Sequence, residues 1–148
     1  MMRMKYNCEL EAGALDQARL CSNTGSGFGG SNFGENIAQI NRSAFPTKLE
    51  AIRKAISNWW KQSRGPVNIG PNVYYRSKHI SAAAQFAQMA WHDVDQVGCG
   101  IAECNGFHSV VCHYSPQGVT VEQQIYRPGA PCSACPGGTT CTEGALCN

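Results

Sequence analysis

Residues Gln85–Tyr114 read QFAQMAWHDVDQVGCGIAECNGFHSVVCHY, and the dipeptide Asn105-Gly106 inside them is the strongest short hairpin signal a sequence offers. A type I′ turn is expected there, because Asn and Gly tolerate positive φ at both central positions. The flanks, Val97–Cys104 and Phe107–Tyr114, carry the β-branched and aromatic residues that strands prefer. With a two-residue loop, Cys104 faces Phe107 and Cys99 faces Cys112 directly. Counted outward from the turn, the 99/112 pair is non-hydrogen-bonded, where strands approach closely enough for a disulfide. Cys104 points from the other face and must find its partner elsewhere.

Working outward, Ser81 is placed to cap a short helix reaching about Trp91, with Ala82, Phe86, Met89 and Ala90 as its buried stripe. After the hairpin, Val119, Val121 and Ile125 alternate and predict a third strand. Toward the N-terminus, Asn7 can cap a helix through about Cys21, with Leu10, Ala14, Ala18 and Cys21 on one face. Asn23 to Asn32 is rich in Gly and Ser and reads as a mobile loop; its glycines follow no strand and end in no Lys-Ser/Thr, so it is not a phosphate loop. Asn41-Arg42-Ser43 is an N-glycosylation triplet before Pro46, which makes Asn41 a candidate acceptor on a surface loop. Thr47-Lys48-Leu49-Glu50 is a capping box, followed by Leu49, Ile52, Ile56 and Trp59 at helical spacing. Ser63-Arg64-Gly65-Pro66 ends that helix. Trp59 and Trp60 are adjacent, so only one of them can enter the core.

The chain has 148 residues, a net charge of +2 and 15% charged residues. That length fits one domain, and that charge gives no electrostatic case for nucleic acid or an anionic membrane. No apolar run approaches the ~18 residues of a membrane span. The nine cysteines are scattered without paired Cys/His ligand sets, which reads as a disulfide framework and an oxidising compartment. An odd number leaves at least one thiol without a partner in the chain. Cys132, Cys135, Cys141 and Cys147 sit among Gly, Pro, Ser and Thr, too poor in apolar residues for a core of their own. Two disulfides would hold this tail; a four-thiolate zinc site is the alternative, and a secreted chain would oxidise first.

Gln85-Phe86-Ala87-Gln88-Met89-Ala90-Trp91 followed by Val97-Gly98-Cys99-Gly100 resembles the first signature of the CAP superfamily, the cysteine-rich secretory, antigen 5 and pathogenesis-related 1 group. Val111-Cys112-His113-Tyr114-Ser115-Pro116-Gln117-Gly118 resembles the second, with Val119 where Asn is expected, and Gly34-Glu35-Asn36-Ile37 resembles the short Gly-Glu-Asn motif. The resemblance implies an α+β fold, a three-layer α-β-α sandwich on an antiparallel sheet. It places the CAP domain at residues 1–128 and a cysteine-rich tail at 129–148. It also implies a Cys21–Cys104 bridge, which the cysteine positions fit. Met4-Lys5-Tyr6-Asn7-Cys8 looks like an interior stretch that in the family follows a first helix, so the chain reads as a fragment. Cys8 is then the free thiol, its expected partner upstream, and the face exposed by the missing helix favours weak self-association.

The family cleft gathers two His and two Glu, and its His can bind a divalent metal. Carried over by position, these residues fall at Gly25, Glu35, Gln62 and Gln85. Gln62 and Gln85 carry amides that neither titrate near neutrality nor usually ligate metals, and Gly25 has no side chain, so Glu35 is the one carboxylate left of the set. Glu35 is therefore expected to be a structural carboxylate bonded to Gln62 and Gln85, and His113 a polar filler. No metal, cofactor or catalytic residue is expected. The resemblance points to a secreted, extracellular, non-enzymatic protein of a parasitic nematode that binds a host protein or lipid. A sterol or lipid binder, a metal-dependent hydrolase, and an inhibitor or lectin-like module built on the tail are the rival readings.

Overall fold

The computed structural model describes residues 1–25 and 32–148. The part of the expected mobile loop at positions 26–31 lies outside the described residues. The elements in chain order are β1 (Lys5–Tyr6), α1 (Cys8–Arg19), β2 (Gly34–Asn41), α2 (Lys48–Lys61), β3 (Tyr74–Tyr75), α3 (Ala84–Ala90), β4 (Gln96–Glu103), β5 (Phe107–Ser115), β6 (Gln123–Gln124), β7 (Cys141–Thr142) and β8 (Leu146–Cys147). The main sheet has the order β1-β4-β5-β2. It carries α1 on one face and α2 with α3 on the other, which is the three-layer α-β-α arrangement.

The β4–β5 hairpin has the register read from the sequence, with Cys99 opposite Cys112 and Glu103 opposite His108. Cys104 N donates to Phe107 O at 2.8 Å and closes the turn. Only Gly106 has positive φ there, at 84°, so the turn is not type I′. The glycine occupies the position that a type II turn reserves for positive φ. Cys99 and Cys112 are bonded across the closest kind of strand pair, with a Cα separation of 4.1 Å.

The third strand of the main sheet is β2, not residues 119–125. β2 runs antiparallel to β5 from Gly34↔Tyr114 to Asn41↔Phe107. Of the expected C-terminal strand only β6 forms, and it pairs with β3 in a separate two-stranded sheet. Ile125 is still fully buried in the core.

Asn7 caps α1, its side chain accepting from Glu9 N and Leu10 N, and the helix ends at Arg19, two residues short of the expected limit. α1 crosses β4 backbone to backbone. A Cβ on Gly98 would lie 2.2 Å from Glu11 N, and one on Gly100 would lie 2.3 Å from Leu15 N. The two glycines of Gly98-Cys99-Gly100 share one face of β4, so the cysteine between them projects from the opposite face. Cys21–Cys104 ties the chain just beyond α1 to the end of β4.

The Thr47–Glu50 capping box forms at the start of α2, and its hydrogen bonds hold the Glu50 carboxyl below the usual range. The buried face of α2 is Ala51, Ala55 and Trp59. The expected stripe fails at two positions: Leu49 and Ile56 are exposed, together with Trp60. Alanines let α2 sit close to the sheet, and close packing decides the buried face over residue size. Ser81 caps nothing. α3 begins at Ala84 behind Ala83, which makes no side-chain cap, and buries Phe86, Ala87, Gln88 and Ala90. Met89 of the expected stripe is half-buried.

The tail cysteines are paired Cys132–Cys141 and Cys135–Cys147, so none is left for a four-thiolate metal site. The tail docks on the N-terminal segment, where Cys147 N donates to Met1 O and Arg3 N donates to Cys147 O. Cys8 is unbonded and exposed.

Gly100→Ala should destabilise the protein by about 3 kcal/mol, the upper end for overpacking, because its methyl meets the backbone of α1 rather than a movable side chain. Gly137→Ala, in open space, should leave the urea midpoint unchanged, and equal midpoints for the two variants would contradict this packing.

Candidate functional site

Strand alternation divides the neighbourhood of β2 into two sides of the sheet. Glu35 and Ile37 face α1, while Gly34, Asn36 and Ile40 face α2 and α3. On the α1 side, Glu35 lies opposite His113 in the ladder, and His113 Nε2 donates to Glu35 Oε2 at 2.7 Å. The two side chains retain only 4% and 12% of their exposure. Phe33 stacks on the His113 ring at 4.2 Å between centroids. Gly13 of α1 faces the other edge of that ring, where a Cβ would lie 3.4 Å from Nδ1. A Cβ at Gly25 would lie 3.1 Å from Glu35 Oε1.

The opposite side holds the two glutamines. Gln62 Nε2 donates to Gln85 Oε1 at 2.6 Å, and Gln62 Oε1 accepts from Phe86 N at 3.1 Å. Asn36 Nδ2 donates to Gln85 O at 3.1 Å and to the Tyr114 hydroxyl at 3.3 Å. Burial pushes the Tyr114 hydroxyl well above the ordinary tyrosine range, with the Asn36 contact pulling it partly back. That phenol therefore stays protonated and neutral at physiological pH.

The four positions singled out in the sequence are thus joined in two pairs. Gly25 neighbours Glu35, and Gln62 bonds to Gln85. Glu35 does not bond to the glutamines as expected; its partner is His113, which is a buried hydrogen-bonding residue and not a filler. The sequence signal for His113 was its alternation with Cys112, which turns it to the α1 face, but its partner depended on the β2 pairing.

A metal does not fit these residues. Among the described residues, no group of three or more His, Cys, Asp or Glu could hold an ion. The Gln62 and Gln85 amides are already bonded to each other and to the backbone, and neither is a usual metal ligand. The remaining three imidazoles are engaged elsewhere: His79 Nδ1 accepts from Arg76 N, His92 Nδ1 lies 3.3 Å from Ile125 O, and His108 Nε2 lies 3.1 Å from Pro46 O.

A second feature of this surface was not foreseen. Leu49, Arg53, Ile56 and Trp60 follow one another along α2 at i, i+4, i+7 and i+11, all exposed. Trp60 keeps 46% of its exposure although its ring meets Phe86 edge-on at 5.2 Å. Lys48, Lys54 and Lys61 lie on the same helix, against the single acid Glu50.

Residues 1–114 match the profile described as CAP, the cysteine-rich secretory protein family. The chain is 34% identical over 155 residues to Ancylostoma secreted protein of Ancylostoma caninum, covering 100% of this chain and 36% of that one. It is 31% identical to Hookworm platelet inhibitor 1 of the same species, covering 97% of this chain and 66% of the relative. The chain therefore spans about a third of the first relative and just under two-thirds of the second. Among solved structures it superposes on Na-ASP-1 with a TM-score of 0.88 at 31% identity, covering 100% of this chain and 38% of that one. On NaASP2 with Zn2+ the TM-score is 0.87 at 29% identity, covering 99% and 77%.

His113→Ala should cost about 1.5–3 kcal/mol, since it strips a buried carboxylate of a hydrogen-bond donor. Calorimetric titration with zinc should show no micromolar site in the wild-type protein or in Gln85→His; a single tight site lost in Glu35→Ala would overturn the metal-free reading.

Proposed function

Because the chain belongs to the CAP family of cysteine-rich secretory proteins, we propose that it is a secreted factor of a parasitic nematode that acts on its host by binding, not by catalysis. The observation that carries the binding reading is the exposed stripe of α2. Exposed apolar residues grouped on one helix face mark interaction sites, and Trp and Arg are the residue types that dominate interface energetics. Leu49, Ile56 and Trp60 supply the apolar centre of such a face, with Arg53 among them. The lysines of α2 fit a host protein surface that is apolar at its centre and acidic around it.

What argues against catalysis is the chemistry at the cleft positions. General acid–base work needs a group that changes protonation near neutrality, and Gly25, Gln62 and Gln85 supply none. Glu35 is occupied by His113 on the other side of the sheet from the glutamines. An extracellular location is supported by the four disulfides, which persist in oxidising compartments. No helix among the described residues is long and apolar enough to cross a membrane. The hookworm names of the similar proteins support a role at the host interface. The working unit is residues 1–128, with 129–148 as a stapled tail.

The test compares Trp60→Ala/Ile56→Ser with Gln85→Ala in binding to host platelets and leukocytes. The α2 variant should bind at least tenfold more weakly, about 1.4 kcal/mol, while Gln85→Ala and added chelator should change nothing. Binding that survives the α2 change but is lost on chelation would overturn the proposal, as would ester or peptide turnover abolished by Glu35→Gln.

A further inference from the structure

Asn41-Arg42-Ser43 is the one Asn-X-Ser/Thr triplet in the chain, and the binding surface makes no use of it. Asn41 is the last residue of β2, paired with Phe107 beside the hairpin turn. Its backbone is therefore fixed by the sheet while its side chain stands in solvent. Asn41 Oδ1 accepts from Ser43 N at 2.8 Å and from Ser43 Oγ at 2.7 Å. The carbonyl end of the amide is doubly bonded within the triplet, and Nδ2 donates to no group among the described residues. Arg42 is drawn away from the acceptor: its Nη1 donates to Cys104 O at 3.2 Å, and its Nη2 lies 3.5 Å from Glu103 Oε2. A shallow hollow of about 410 Å³ lined by Asn41, Arg42, Ser43, Pro46 and Gly106 leaves room at the attachment point.

We propose that Asn41 is an N-glycan acceptor whose oligosaccharide stands at the hairpin end of the sheet. The inference rests on the extracellular reading, since the modification requires entry into the secretory pathway. The donor class is a polyprenyl-diphosphate oligosaccharide. A bond forms between Asn41 Nδ2 and C1 of the first N-acetylglucosamine, the C1–O bond to the diphosphate breaks, and the polyprenyl diphosphate leaves. The amide nitrogen gives up one proton. In the folded protein the two hydrogen bonds to Oδ1 stay within the triplet and leave Nδ2 as the outward end of the amide. Nothing in the fold has to move afterwards, because Asn41, Arg42, Ser43 and Ala44 are all exposed, so the sugar added to the growing chain remains outside the folded protein.

The experiment attaches a cleavable signal peptide to the full chain and expresses it in insect cells. Peptide-N-glycosidase treatment in heavy-oxygen water, followed by peptide mass spectrometry, is then applied to both the secreted and the retained protein. The expected result is conversion of Asn41 to heavy-labelled Asp, a matching drop in intact mass, loss of both in Asn41→Gln and Ser43→Ala, and retention in Ser43→Thr. A bare Asn41 in wild-type protein that carries its four disulfides would overturn the proposal. Failure to leave the cell would count against the extracellular reading alone, because occupancy is read on the retained fraction as well.

Discussion

The close approach of α1 to β4 is the constraint from which the architecture follows. Two peptide backbones come within a side chain's width of each other only because residues 98 and 100 have no side chains. Cys99, between them, is turned by the pleat to the far face and spends its side chain on the bond to Cys112. One tripeptide thus serves both faces of the sheet, seating a helix on one and stapling the hairpin on the other. Cys21–Cys104 then holds the distal end of the same helix–strand pair. Ala14 and Ala18 of α1, fully buried against Val111, extend the same short-side-chain packing along the helix.

This tight layer also determines what the central residues can do. His113 has Gly13 of α1 against one edge of its ring and Phe33 stacked on one face, and its bond to Glu35 is largely shut off from solvent. On the other side of the sheet, the Gln62–Gln85 contact and the Asn36–Tyr114 contact form a set of neutral groups that bond to one another and to backbone. Neutral amides satisfy buried backbone groups without the desolvation cost of a charge. The arrangement favours rigidity over reactivity.

Local signals in the sequence were legible where the structure is local. The Asn105-Gly106 hairpin and its register, the Asn7 cap and the Thr47–Glu50 capping box each depend on a few neighbouring residues. What escaped depends on partners far along the chain. β2 begins with Gly34, Glu35 and Asn36, poor strand formers that become a strand by pairing with β5. Without that pairing the Glu35–His113 bond, 78 positions apart, was not readable. The exposed face of α2 escaped for another reason. Apolar periodicity selects large residues, whereas the distance between helix and sheet selected Ala51 and Ala55, leaving Leu49 and Ile56 outside.

The hydrogen bonds between residues 1–3 and Cys147 bring the two ends of the chain together at one pole of the molecule. Any polypeptide that precedes residue 1 and any that follows residue 148 must depart from that same place.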